Sequence, residues 1–217
     1  MAIYDTEEEQ LEQLKKWWES NNTSLIAGVA AAVVIVTGFN FWQAQQLEKR
    51  GQASELYQQI LDASAANNSD SIEKLSGQLA SEYSSSIYSN YAALQLAKVK
   101  VQKGDVEAAK AILQKEIKTN ESDELQHLSR LRLIQLLLET KQYEQGLQLI
   151  AEVDPASSEG FSASYDELQG DLYVAMERYD EARNAYQSAI RSGFATPLVQ
   201  FKLDDIAVPA LATGATK

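Results

Sequence analysis

The stretch SLIAGVAAAVVIVTGFNFWQ, from Ser24 to Gln43, carries no charged residue. As a helix, Leu25 to Trp42 rises about 27 Å, close to the ~30 Å hydrocarbon layer of a bilayer. Trp17 and Trp18 precede the run and Phe39, Phe41 and Trp42 close it, so amphipathic rings fall at the depth of both interfacial layers. A core helix of a small soluble domain is rarely apolar on every side. A cleavable signal needs a short basic start and a small-x-small cleavage site, whereas this run follows a mostly acidic segment and leads into FNFWQAQQLEKR. Residues 24–42 therefore read as an uncleaved anchor whose partner is membrane lipid.

Charge does not orient this anchor. Lys15 and Lys16 on one side are matched by Lys49 and Arg50 on the other. A lone early apolar segment followed by a long domain behaves as a signal anchor, which favours an inside N-terminus. Within the run, Gly28 and Ala32 form a small-xxx-small pair, as do Ala27 and Ala31. Such a pair lets a second spanning helix approach closely, although both residue types are common in spanning helices without that role. Residues 1–23 form a short acidic segment. In it Thr6 and Glu9 have capping-box spacing, and Leu11, Leu14 and Trp18 follow as the apolar side of an amphipathic helix.

The rest of the chain is polar and acidic, and the formal net charge is −12. Both sides of the anchor are negative, which argues against a nucleic-acid partner, because phosphate binding needs clustered Lys and Arg. There is no cysteine, so disulfides, Cys-ligated zinc and thiol nucleophiles are all excluded. Few glycines and prolines interrupt the sequence, and no alternating β-branched runs appear outside the anchor, so helix is the expected state.

Three segments repeat. GDVEAAKAILQKEI, KQYEQGLQLIAEV and ERYDEARNAYQSAI align so that Val106, Tyr143 and Tyr179 coincide, at spacings of 37 and 36 residues. In the third copy Gly170, Tyr173, Ala182, Tyr186 and Ala189 match the small and aromatic positions of a tetratricopeptide repeat, where small residues let the two helices cross closely. The second copy has Gly146 but Ile134 in place of the early glycine. The first keeps Ala97, Gly104 and Ala109, while Lys100 and Glu116 break the pattern.

Flanking segments extend this array. No proline separates the anchor from Leu47, Leu56, Tyr57, Ile60 and Leu61, so the membrane helix is expected to continue to about Ala66, with Gly51 as its weak point. ANNSDS reads as a turn, with Asp70 as cap of a helix whose apolar face is Ile72, Leu75 and Leu79. These two helices make an irregular first pair. Pro197 opens a last helix, with Leu198, Phe201 and Leu203 to cover the open end of the stack. Residues 207–217 read as a disordered tail. The expected fold is all-α: one N-terminal transmembrane helix, then a tetratricopeptide-like α-solenoid of about three to four helix pairs over 43–206.

No constellation for catalysis, metal or cofactor is evident. His127, the one histidine, sits among leucines and reads as a packing residue, and no phosphate loop, His-Glu-x-x-His helix or Gly-x-Ser-x-Gly elbow occurs. Asp204 and Asp205 read as solvated charge. A binding surface remains. In a tetratricopeptide array the first helices of the pairs line a concave groove, and by that fold analogy Tyr91, Lys98, Gln135, Leu138, Glu167 and Asp171 lie on it.

Five pieces of the chain together resemble the YfgM family, single-span inner-membrane proteins described as ancillary subunits of the SecYEG translocon. IYDTEEEQLEQLKKWWESN resembles the family's acidic start, YAALQLAKVKVQKGDVEAAKAIL and LSRLRLIQLLL its middle, LQGDLYVAMERYDEARNAYQSAI its last repeat and FKLDDI its closing helix. The tail from Ala207 to Lys217 departs from the family pattern. The resemblance implies a cytoplasmic N-terminus, a periplasmic repeat domain, and association with the translocon and with a PpiD-type periplasmic chaperone. It thus implies a non-catalytic adaptor needing no cofactor. The alternative from the residues is a membrane-tethered regulator whose acidic cytosolic N-terminus binds a signalling protein. An enzyme ranks third.

Overall fold

The computed structural model describes residues 7–193 and 196–206. Thr6 of the expected capping box and the tail 207–217 lie outside them. Among the described residues there are nine α-helices and no strand: α1 (Glu7–Ala65), α2 (Ser69–Glu82), α3 (Ile87–Gln102), α4 (Val106–Thr119), α5 (Asp123–Glu139), α6 (Tyr143–Ala151), α7 (Ser162–Ala175), α8 (Tyr179–Arg191) and α9 (Pro197–Ile206). A single 3-10 turn, Glu159–Phe161, precedes α7. Two compact units are distinguished, residues 1–52 and residues 53–217.

The first unit is α1 as far as Gln52. Helix continues through Gly51, as the absence of proline predicts. By length and composition this helix can cross a membrane. Ile26, Val29, Val33, Val34, Ile35 and Val36 are all exposed, so the apolar surface faces outward on every side. That is the condition of a lipid-facing span and the reverse of a core helix.

The second unit starts with the last residues of α1 and pairs its helices in order. From α2 onward each packs on the next, and α5 also packs on α7. Its core is a row of four clusters, each bridging neighbours. Ala53 and Ile60 of α1 meet Ile72 and Leu79 of α2 and Ala92 and Val99 of α3. Leu94 and Ala97 meet Ala109 and Leu113 of α4 and Leu133 and Leu137 of α5. Ile134 and Leu131 meet Tyr165, Leu168 and Leu172 of α7, and Ala182, Tyr186 and Ala189 of α8 meet Val199 and Ile206 of α9.

One backbone device recurs through this unit. Asn67, Gly104, Lys141 and Glu177 have φ of 52°, 80°, 60° and 60° and each turns the chain from the first helix of a pair into the second. At all four, the next amide donates to the carbonyl five residues before it: Asn68 to Ala63, Asp105 to Lys100, Gln142 to Leu137 and Arg178 to Tyr173, at 2.8 to 2.9 Å. This is a Schellman closure. The α1–α2 pair, irregular by sequence, thus shares the turn of the three repeats and completes four helix pairs. Gly104 and, after it, Asn67 have residue types the left-handed turn favours, whereas Lys141 and Glu177 do not. Lys141→Gly is therefore expected to stabilise the chain by about 0.5–1 kcal/mol, and Gly104→Ala to destabilise it by about 1 kcal/mol, read as shifts in urea midpoint at constant slope.

Two expectations need correction. The cap of α2 is Asn68, whose Oδ1 accepts from the Ser71 amide at 3.1 Å, and not Asp70. Asp70 lies one residue inside the helix and binds Lys103, which caps the C-terminus of α3, instead, at 2.8 Å. At the other end, Leu198 and Phe201 are exposed and the buried residues of α9 are Val199 and Ile206, with Leu203 packed beside them. Lys202 shares that inward side and reaches Glu167 and Asp171 of α7.

The two residues that break the repeat pattern are accommodated by partners. Lys100 pairs with Glu73 at 3.2 Å. Glu116 is buried, accepts from Asn120 Nδ2 at 3.1 Å, and has its carboxyl raised above the usual range by burial.

Candidate functional site

The residues expected to share a groove fall into three settings. Lys98 and Gln135 come together. They line a trough of about 450 Å³ between α3 and α5. Its apolar lining is Leu94, Ala97 and Val101 from α3, Leu113 from α4 and Leu136 from α5. On each first helix the lining side chains recur at i, i+3, i+4 and i+7, which is the single-face spacing of an α-helix. On α5 that stripe is Arg132, Gln135, Leu136 and Glu139.

Glu167 and Asp171 are committed elsewhere. Both accept from Lys202 Nζ of α9, at 2.8 and 2.7 Å, and Asp171 also accepts from the Tyr186 hydroxyl at 2.7 Å. Burial opposes the Lys202 charge, yet the hydrogen bonds to Asp171 and then Glu167 raise its pKa above the usual lysine value. Burial, then the hydrogen bond to Asp171, raises the Tyr186 hydroxyl in turn. The last pair of the expected groove is therefore occupied by the chain's own final helix.

Tyr91 and Leu138 are packing residues as well as groove candidates. The Tyr91 ring lies 5.7 Å from that of Tyr57 and leans on the core of the first repeat. Leu138 packs against the core shared by α5 and α7. Sequence reasoning missed Arg132 and Glu139, although they lie on the same helical stripe as Gln135, three residues before it and four after.

His127 is buried, as its leucine neighbours suggest. Its Nδ1 is 2.8 Å from the Tyr165 hydroxyl, and its ring stacks on Phe161 at 5.0 Å. Burial and the nearby Arg130 lower its pKa, against a hydrogen bond to the Ser157 main chain and the carboxylates of Asp123 and Glu124. This arrangement joins α5, the 3-10 turn and α7. Among the described residues no group of three or more His, Cys, Asp or Glu side chains is placed to hold a metal ion.

On α1, Gly28 and Ala32 lie one turn apart and are exposed, and nothing comes within 4 Å of a Cβ added at Gly28. A second helix can approach that side to the distance set by the backbone.

Comparisons with known proteins agree with these observations. The chain is 27% identical over 214 residues to a protein of Escherichia coli strain K12 named ancillary SecYEG translocon subunit, covering 96% of this chain and 100% of that one. Proteins of the same name from Haemophilus influenzae and Aggregatibacter actinomycetemcomitans are 28% and 26% identical, over 89% and 95% of this chain and 93% and 100% of theirs. No solved structure matches significantly. The profile of the tetratricopeptide repeat-like domain family matches residues 15–208, nearly the whole described length. With its four helix pairs, its recurrent left-handed turn and that match, the chain belongs to the tetratricopeptide repeat-like domain family.

Proposed function

We propose that this chain is a non-catalytic, membrane-anchored adaptor of a SecYEG translocon that links protein translocation to a PpiD-type periplasmic chaperone. The observation that carries this reading is the match, over 89–96% of this chain, to three proteins named ancillary SecYEG translocon subunit. Residues 1–23 are then cytoplasmic, 24–42 span the inner membrane and 43–206 form the periplasmic domain. The exposed apolar surface of α1 and the array of helix pairs support a division of labour, with one contact inside the membrane and another outside it. Repeat scaffolds bind partners through extended surfaces, while spanning helices meet through small residues.

The two contacts are expected to fail separately. Gly28→Ile with Ala32→Ile should strip the translocon from the full chain purified in mild detergent while leaving the chaperone bound. Deleting residues 2–12 should leave the chaperone contact intact. Loss of both partners on either change, measured by quantitative mass spectrometry of the isolates, would overturn the two-contact adaptor. If the deletion abolishes a cytosolic output instead, the regulator is favoured.

A further inference from the structure

The apolar face of α1 does not stop where the bilayer does. Helix runs unbroken from Glu7 through the span, so its residues follow one axis at about 1.5 Å and 100° each. On that count Leu11, Leu14, Trp18, Leu25, Gly28 and Ala32 share an arc of about 100°, with Ala32 about five whole turns beyond Leu14. Glu12, Lys16 and Glu19 lie on the opposite side, where Lys16 pairs with Glu12 at 3.5 Å. Leu11 and Leu14 are 61% and 62% exposed, and lipid does not reach them. The apolar run opens at Leu25, so Leu14 and Leu11 stand about 16 and 21 Å before it. The interfacial layer on each side of the hydrocarbon is only about 5–7 Å deep. The usual tilt of a spanning helix, about 20°, shortens those distances only slightly. Two exposed leucines thus stand in water, in line with the part of the span that admits close approach.

We infer that one helix of another membrane protein lies along this face from Leu11 to Ala32, spanning the bilayer beside Gly28 and continuing as helix for about four turns into the cytosol. That placement rests on the adaptor reading, in which residues 1–23 are cytoplasmic, and gives the translocon contact its chemistry. Charge selects the occupant. Residues 1–23 carry six acidic side chains against two lysines. Packed helices lie about 8–10 Å apart, close to the Debye length of about 8 Å in physiological salt, so this charge acts on whatever lies alongside. A second copy of this chain brings the same negative charge and is repelled. A spanning helix with Lys and Arg at its cytoplasmic end, the usual pattern for such ends, is attracted. The occupant is therefore an apolar helix with small residues facing Gly28 and a basic cytoplasmic continuation that covers Leu14 and Leu11.

The test uses the full chain in native membranes, with the photo-crosslinking residue p-benzoylphenylalanine at Leu14, Leu25 or Lys16 and adducts mapped by tandem mass spectrometry. Leu14 and Leu25 are expected to trap the same polypeptide, Leu25 within a spanning segment and Leu14 on the cytoplasmic continuation of that segment. Lys16, on the opposite side, should trap it at least about fivefold less. Leu11→Asp with Leu14→Asp should lower capture by the Leu25 probe at least about fivefold, because a carboxylate then enters an apolar seam. Glu12→Gln with Glu19→Gln should lower capture less and make it less sensitive to added salt. Lipid adducts alone at Leu14, capture there of a second copy of this chain or of a soluble protein, or equal capture at Lys16 would each overturn the inference. If Leu14 and Leu25 trap one spanning helix that belongs to no Sec subunit, the translocon reading fails and the shared-face contact stands. If Leu25 traps a Sec subunit and Leu14 does not, the translocon reading stands and the shared-face contact fails.

Discussion

A Gly170→Leu chain is expected to lose about 3 kcal/mol of stability, with its last repeat opening first. Gly170 is buried on α7, and a Cβ there would lie inside the van der Waals surface of the Tyr186 ring on α8. Tyr186 cannot retreat cheaply. It is almost fully buried, and its hydroxyl is tied to Asp171, which is itself tied to Lys202. Gly146 is the milder counterpart, where an added Cβ would meet Leu172 methyl carbons at 3.0 Å. Gly170→Ala should therefore cost more than Gly146→Ala, and Tyr186→Leu should partly rescue Gly170→Ala in a double-mutant cycle. Thermal melting followed by circular dichroism checks each value. An unchanged melt for Gly170→Leu would contradict the packing of α7 on α8.

The second large effect is acid sensitivity carried by His127. Its pKa in the folded chain is lowered below the ordinary value of 6.5, by burial first and then by Arg130. Between the two values the unfolded chain binds a proton that the folded chain refuses. The contribution of His127 is therefore complete above about pH 6.5, falls as pH drops toward the folded value, and levels off below it. The groups facing the ring are Tyr165 of α7, the Ser157 main chain of the loop, and Arg130, Asp123 and Glu124 of its own helix. Glu116 and Asp166 act in the opposite sense, because burial raises both, so folding takes up protons there as pH falls. The His127 part is isolated by comparison. His127→Gln should lower stability at pH 8 and flatten the loss between pH 8 and 5, as measured by urea unfolding at each pH. A parallel pH profile in the variant would remove His127 from the account.

The sequence made the helix pairs legible where side-chain size carries the packing. Gly146, Gly170, Ala97, Ala109 and Ala182 mark close crossings, and all five are buried. It was less informative where the backbone alone defines the repeat. The turn at Asn67 has neither the glycine of Gly104 nor an aromatic neighbour in register, so the first pair looked irregular although its hydrogen bonds match the others. The cap at Asn68 and the phase of α9 depend on which of several adjacent polar or apolar residues finds a partner, and composition does not rank them. Asp70 was a reasonable cap until Lys103, thirty-three residues away, claimed it. The same limit applied to the groove. Glu167 and Asp171 lie on a first helix, as counted, but their availability was decided by Lys202 from beyond the repeats. Arg132 escaped notice because a solvated arginine and an arginine beside an apolar trough have the same local sequence.

The row of four core clusters bears on how damage spreads in this chain. A globular core shares its neighbours among all elements, so one poor contact is felt everywhere and the molecule melts as a unit. Here each cluster is built from neighbouring helices, and the approximation that applies is a line of coupled segments with interfaces between them. Loosening α9 from Lys202 onward exposes the α8 side of the last cluster and leaves Ala53, Ile60 and Leu79 untouched. The chain can yield at one end without surrendering the other, and its cooperativity is a property of its joints.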